Sequence, residues 1–180
     1  MDKISFRIEC LKKIKGRKKY LDYAKDKKIS KKIEIIIKKH KPKSILFYMP
    51  MEMEVDVMRL VKRYRKSIKV FIPFIVEESF KMVEYRLPLE KNSFHILESK
   101  NPSFSHKRVD LIIVPTIGID NQMRRVGFGK GMYDRFFASL GQKPITIFIQ
   151  RDRCHTRKKV CQTHDILCDY YITSKESNIR

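Results

Sequence analysis

The stretch from Asp110 to Phe137, DLIIVPTIGIDNQMRRVGFGKGMYDRFF, constrains this chain more than any other. An apolar run of strand length leads into a loop. Gly127, Gly129 and Gly131 then alternate around Lys130, and a helix follows with Asp134 in its first turns. Glycines let backbone N–H groups approach an anion closely and adopt turns that other residues resist. Lys130 adds a point positive charge, and a following helix turns the positive end of its dipole to the same place. Strand, glycine loop, lysine and helix together point to a phosphate site; a purely structural glycine turn at a strand–helix junction is the competing account. The familiar nucleotide loops do not fit. Gly131 follows the lysine where a P-loop needs serine or threonine, and Met132 stands where a dinucleotide fingerprint needs its third glycine.

The remaining chain alternates helix and strand patterns. Lys3 to Lys15 predicts a helix with Ile4, Ile8, Leu11 and Ile14 at helical spacing, and Lys18 to Lys39 a second with the stripe Ile29, Ile33, Ile36 and Ile37, closed by Pro42. Ser44 to Tyr48 reads as a short strand, Glu52 to Lys66 as a helix with Val55, Met58, Val61 and Tyr64 inward, and Lys69 to Val76 as a strand. Residues 80–108 are irregular or β-rich, broken by Pro88 and Pro102. Asp110 to Pro115, Ile145 to Gln150 and Asp169 to Thr173 predict strands, and Met132 to Leu140 a helix ended by Gly141. Short apolar strands between helices predict an α/β fold: one domain over residues 1–180, a mostly parallel central sheet and helices on both faces, in a Rossmann-like three-layer arrangement. Ligands in such sheets sit beyond the carboxyl ends of the strands. Tyr48 to Glu54, the glycine loop and the segment around Arg151 are therefore expected to meet in one crevice.

Composition narrows the class. In 180 residues, a hydrophobic fraction of 42% fits a folded globular protein with one substantial core. No apolar run approaches the roughly 20 residues of a membrane helix. Four cysteines without close pairs, and no signal-like apolar segment near Met1, predict a reducing, cytoplasmic setting. Cys154, Cys161 and Cys168 recur with His155 and His164 nearby, but the close cysteine pairs of structural zinc sites are missing. Lys and Arg number 41 against 20 Asp and Glu, a net charge of +21. Because the lysines are spread along helix faces between Lys12 and Lys43, a solvated surface accounts for them better than a polyanionic partner does.

Pro115, Asp120, Arg125, Gly127, Gly129, Lys130, Gly131, Tyr133 and Asp134 resemble the signature of the 5-formyltetrahydrofolate cyclo-ligase family, roughly VPG-x-x-F/D followed by R-L-G-x-G-x-G-Y-Y-D. Lys3 and Arg7 match a basic pair near that family's N-terminus, YMPMEMEVD around Glu54 matches its Y-x-x-x-x-E-x-D/E segment, and FIPFI and HDILCDYYITS fall in the same order. The resemblance covers nearly the whole chain. Three positions depart from it: Met132 replaces the first tyrosine of YYD, Val126 replaces leucine, and Thr116 replaces the glycine of VPG. Met132 puts a flexible thioether where a flat ring is expected beside the folate.

The resemblance implies an ATP-dependent enzyme that closes 5-formyltetrahydrofolate to 5,10-methenyltetrahydrofolate, releasing ADP and phosphate, with Mg²⁺ as cofactor. It implies ATP contacts from Lys3 and Arg7 and a nucleotide cradle of Arg125, Val126, Gly127, Phe128, Gly129, Lys130, Gly131, Met132 and Tyr133. Within that cradle Lys130, Arg125 and Tyr133 are the catalytic candidates, with Arg124 as the neighbouring alternative to Arg125. Folate contacts are implied for Met49, Glu54, Phe128, Gly129, Lys130, Gly131 and Met132, with Glu52 close enough to compete with Glu54. Asp134 and Asp165 are the implied metal ligands. Each residue has a plainer account: Lys3 and Arg7 as exposed helix cations, Asp134 as a first-turn carboxylate complementing the dipole, His164-Asp165 as a turn, and Tyr133 as a core aromatic. The expected partners are small molecules, and a monomer without membrane or nucleic-acid contacts is expected. A basic nucleic-acid-binding module is the alternative function. It draws on the charge and on Tyr20, Tyr23 and Tyr64, but leaves the glycine–lysine–aspartate arrangement without purpose.

Overall fold

A computed structural model describes residues 2–92, 96–100 and 105–179. Its helices are α1 (Lys3–Lys15), α2 (Asp22–His40), α3 (Met58–Tyr64) and α4 (Met132–Ala138). Its strands are β1 (Ser44–Leu46), β2 (Lys69–Val76), β3 (Ser79–Glu84), β4 (Leu89–Lys91), β5 (Leu97–Ser99), β6 (Leu111–Pro115), β7 (Gly118–Ile119), β8 (Arg125–Val126), β9 (Ile145–Ile149), β10 (Tyr170–Ile172) and β11 (Ser177–Ile179). Seven strands form the central sheet in the order β11-β10-β9-β6-β1-β2-β3. The five inner strands run parallel, and β11 and β3 pair antiparallel at the two edges.

Burial explains why the strands are continuously apolar. All five residues of β6 are buried, as are four of five in β9, because each lies under a layer on both faces. On one face Ile29, Ile33, Ile36 and Ile37 of α2 and Leu60 and Val61 of α3 pack against the sheet. On the other, Phe136 of α4 joins Leu46, Phe71, Ile112, Val114, Phe148 and Tyr171. This is the predicted three-layer α/β fold.

The expected boundaries shift in instructive places. α2 begins at Asp22 after a short 3₁₀ turn, Lys19–Leu21, and stops at Lys41, whose left-handed φ of 47° precedes Pro42. The helix predicted for Glu52 to Lys66 forms only over Met58–Tyr64. Val55 is buried as expected, but from the preceding loop, where the side chains of Glu54 and Asp56 bond local backbone N–H groups and compete with helix. Residues 80–108 prove β-rich: β3 closes a hairpin with β2, and β4 pairs with β5; Pro102 lies outside the described residues. The glycine loop follows the small hairpin β7–β8 rather than the long strand β6.

α1 corrects the predicted inward face. Ile4 and Ile8 are 64% and 49% exposed, whereas Phe6 and Cys10 are buried. The helix packs not on the sheet but on Ile117, Val126, Cys154 and Cys161 beside the β7–β8 hairpin. Its inward stripe therefore runs Lys3, Phe6, Arg7, Cys10, Ile14 and Arg17, mixing apolar anchors with cations at helical spacing.

Two of the four cysteines pair across the fold. Cys10 and Cys154 form a disulfide across 144 residues, while Cys161 and Cys168 are free and buried. Sequence spacing hides such a pair, because only the docking of α1 brings the two Cα atoms to 5.8 Å. Cross-linking distant segments restricts the unfolded chain and stabilises by about 2–4 kcal/mol. Cys10→Ser should therefore lower the thermal midpoint by about 4–15 °C at this chain length. Calorimetry of oxidised protein checks this, and an unchanged midpoint would argue that the bond is not formed in solution.

Candidate active site

The glycine loop, residues 127–131, is organised around Arg125. That side chain is buried; its Nε donates to Pro115 O at 3.0 Å, and its guanidinium lies 4.7 Å over the Tyr133 ring. Gly127 is required by this packing, since a Cβ there would come within 2.4 Å of Arg125 Nη1. Gly127 O accepts from Arg7 Nε at 2.8 Å, which fixes α1 to the loop. Gly129 has φ +98°, a conformation L side chains rarely adopt, and places its backbone against the Arg7 guanidinium. Lys130 is exposed at the tip, and its carbonyl accepts from Arg135 Nη2 at 2.6 Å. α4 is only seven residues long, so the loop amides and the arginines contribute more positive potential than the helix dipole.

Of the two aspartates predicted as metal ligands, Asp134 bonds the residue that follows the other. Ile166 N donates to Asp134 Oδ1 at 3.2 Å, bringing the carboxylate of α4 against the segment that carries Asp165. Asp165 is buried; it pairs with Lys3 Nζ at 2.5 Å through one oxygen and accepts Gln162 N at 2.7 Å through the other. Arg124, the alternative to Arg125, donates to the carbonyls of Thr163 and Asp165 and holds that segment in place. Among the described residues, no three His, Cys, Asp or Glu side chains group as a metal cage.

Beyond the carboxyl ends of β1, β6 and β9 lies a cavity of about 290 Å³. Glu54 and Val55 line one side, Thr116 and Ile117 the floor, Phe128 the loop side, and Arg151 and Arg153 the far wall. Lys13, Ile14 and Arg17 close it from α1. Glu54 accepts Met51 N at 2.9 Å through one oxygen. Burial pushes its carboxyl up to about 7, against the opposing pull of that N–H group and of Arg125 and Arg151. Burial also pushes the hydroxyls of Tyr48 and Tyr133 above the ordinary tyrosine range, so both stay protonated at neutral pH.

Arg151 is held by a buried ion cluster. Its Nε and Nη2 donate to the two oxygens of Asp26 at 2.8 and 2.9 Å, and its Nη1 lies 3.4 Å from Asp22. Arg17 bonds the same Asp22 at 2.9 Å. Asp26 also accepts Asp56 N at 3.0 Å, so the cluster ties α2, the loop after β1 and the loop after β9 to one another.

Along α1, Lys3 thus meets Asp165, Arg7 meets the glycine loop at Gly127 and Gly129, and Phe6 and Cys10 pack on Val126. Arg125, Tyr133 and Asp134 lie behind that loop, Lys130 at its tip and Gly131 and Met132 at the start of α4, while Glu54 and Phe128 line the cavity at the C-terminal end of α1. Met49 does not join them: it is buried in the core on the α2 side of the sheet rather than on the cavity wall. Met132 packs toward the α4 side of the core, and Tyr133 meets Phe80 edge-on at 5.1 Å. Sequence reasoning missed Lys13, Arg17 and the Asp22–Asp26 pair. The two acids four residues apart on the first turns of a lysine-rich helix were the available signal.

The geometry agrees with comparisons to known proteins. A 5-formyltetrahydrofolate cyclo-ligase from Mycoplasma pneumoniae is 25% identical over 152 residues, covering 83% of this chain and 85% of its own length. The solution structure of a 5,10-methenyltetrahydrofolate synthetase from Aquifex aeolicus superposes with a TM-score of 0.82 at 23% identity, covering 99% of this chain and 93% of that one. A second solved structure, the 5,10-methenyltetrahydrofolate synthetase of Mycoplasma pneumoniae, gives a TM-score of 0.75 at 22% identity over 96% of this chain and 98% of that one. The sequence model of the 5-formyltetrahydrofolate cyclo-ligase family matches residues 2–168, so the signature loop, the basic face of α1 and the Glu54 segment all fall inside it, and this chain belongs to the 5-formyltetrahydrofolate cyclo-ligase family.

Proposed function

We propose that this enzyme uses ATP to cyclise 5-formyltetrahydrofolate to 5,10-methenyltetrahydrofolate, with release of ADP and phosphate. The formamide oxygen is a poor leaving group. Transfer of the γ-phosphoryl group to that oxygen lets it depart as phosphate when the folate's own N10 attacks the formyl carbon. The protein's task is to align acceptor and nucleotide and to balance phosphate charge. Lys3, Arg7 and the loop from Arg125 to Tyr133 would take the triphosphate, and the cavity lined by Glu54, Phe128 and Arg151 would take the folate. Four cations around that cavity, Lys13, Arg17, Arg151 and Arg153, suit an anionic substrate. One catalytic unit is proposed, since the site draws on residues from Lys3 to Asp165.

Asp134 and Asp165 fit a magnesium ion as neighbouring carboxylates next to a phosphate loop, because Mg²⁺ favours one or two carboxylates completed by waters and phosphate oxygens. Occupation of Asp165 would require Lys3 to leave it and turn to the phosphates. A bound ion would supply charge neutralisation there.

The observation that carries the proposal is the convergence of α1, the Arg125-centred glycine loop and Glu54 on one crevice. Mixing the protein with Mg-ATP and 5-formyltetrahydrofolate should produce growing absorbance in the methenyl-folate band. Absence of signal, with salt-sensitive RNA binding instead, would favour the nucleic-acid alternative. Lys130→Ala should reduce ATP-dependent turnover more than about tenfold with its melting curve preserved, since an exposed loop tip contributes little to the core. Near-wild-type turnover would remove Lys130 from the site.

A further inference from the structure

Ring closure leaves one task that phosphate binding does not perform. N10 carries a proton when it attacks, and that proton has to leave before the product's conjugated cation forms. The cavity wall offers few groups that can take it. Lys13, Arg17, Arg151 and Arg153 are cations and cannot. Asp152 sits at the exposed mouth, paired with Lys25 at 2.5 Å. Cys154 is in a disulfide. Behind the wall, Tyr48 donates its hydroxyl to Val55 O, and Tyr133 is packed on Phe80 and Arg125. Glu54 is left. It uses one oxygen for Met51 N, its second oxygen has no hydrogen bond among the described residues, and the residue lines the cavity.

We infer that Glu54 is the general base that removes the N10 proton during ring closure, a role that rests on the cyclo-ligase function proposed above. In the step, the N10 lone pair forms the N10–C bond to the phosphorylated formyl carbon. The N10 proton passes to the free oxygen of Glu54, the C–O bond breaks, and phosphate leaves with its electron pair. The remaining positive charge is shared between N5 and N10, and Glu54 returns its proton to solvent. Four groups from different elements surround the carboxyl: Tyr48 after β1, Arg125 of β8, Tyr133 of α4 and Arg151 after β9. Packing around the carboxyl holds its affinity for a proton near the middle of the physiological range, where a base is most effective. The two arginines keep that affinity from rising further.

The test is the pH dependence of kcat for the wild type, Glu54→Gln and Glu54→Asp, with substrate affinity measured separately by titrating 5-formyltetrahydrofolate without ATP. In the wild type, log kcat should rise with pH and level off above an apparent pKa near 7. Glu54→Gln retains an acceptor for Met51 N but cannot take a proton. Its kcat should fall by about 10²–10⁴-fold and lose the acid limb, whatever change in folate Kd accompanies it. Glu54→Asp should keep a limb at reduced rate. A Glu54→Gln enzyme that keeps kcat and the limb, or loses affinity alone, would overturn the role. So would a wild type without an acid limb near neutrality, which decides the matter even if a variant fails to fold. A wild type that makes no methenyl product at all would instead sink the cyclo-ligase function, and with it this role.

Discussion

Replacing Asp26 with alanine should destabilise the protein by about 3–5 kcal/mol, because removing one partner of a buried ion pair leaves the other charge uncompensated. Arg151 would lose both bonds of its bidentate contact and retain Glu52 O at 3.3 Å and Asp22, which already serves Arg17. Asp56 N would lose its acceptor at the same time. At this chain length the loss corresponds to a fall in thermal midpoint of about 6–20 °C. The double change Asp26→Leu with Arg151→Met should recover more than half of it, since apolar pairs of similar volume often replace buried ion pairs at little cost. Calorimetry of both variants provides the check. A single variant within about 1 kcal/mol of wild type would show that water reaches the cluster and screens it.

Gly127→Ala should produce the other large effect, on catalysis rather than folding. The new methyl group would lie within 2.4–2.8 Å of three atoms of the Arg125 guanidinium, so the guanidinium has to move. Moving it breaks the bond to Pro115 O and the stacking on Tyr133, and it disturbs the carbonyl that holds Arg7. If the loop grips the nucleotide, the KM for ATP should rise at least about tenfold, a loss of roughly 1.4 kcal/mol in kcat/KM. The thermal midpoint should fall by a few degrees, since Gly127 and Arg125 are buried but the neighbouring residues 128–130 are exposed and can shift. Initial rates over an ATP series measure it. An unchanged KM would detach Arg125 from nucleotide binding.

These residues also show what a linear reading of the chain can reach. The sheet was legible because continuous apolar runs such as LIIVP and ITIFI have one comfortable place, a parallel strand covered on both faces. The stripe of α2 was legible for the same reason: four isoleucines share one side, and that side meets the sheet. The glycine loop showed itself through residue types that only a backbone–anion approach or a tight turn requires.

Failures occurred where burial is decided by something other than the sheet. α1 follows a hydrophobic period, yet the face that docks is chosen by a hairpin two-thirds of the chain away, and it includes cations because the crevice lies along it. Met49, a folate contact only by resemblance, packs in the core on the α2 side. The Cys10–Cys154 bond and the Asp26–Arg151 pair join positions 144 and 125 residues apart, and no local pattern announces such contacts.

The placement of Lys3 and Arg7 in the first two turns of α1 has a practical consequence for handling the protein. Residues added ahead of Asp2 would emerge next to the Lys3–Asp165 contact, displacing the cap that Asp2 provides to Ser5 N. An affinity tag on that side would crowd the proposed nucleotide entrance and depress activity. The opposite terminus, leaving from edge strand β11, where Ile179 is 69% exposed, is the safer attachment point.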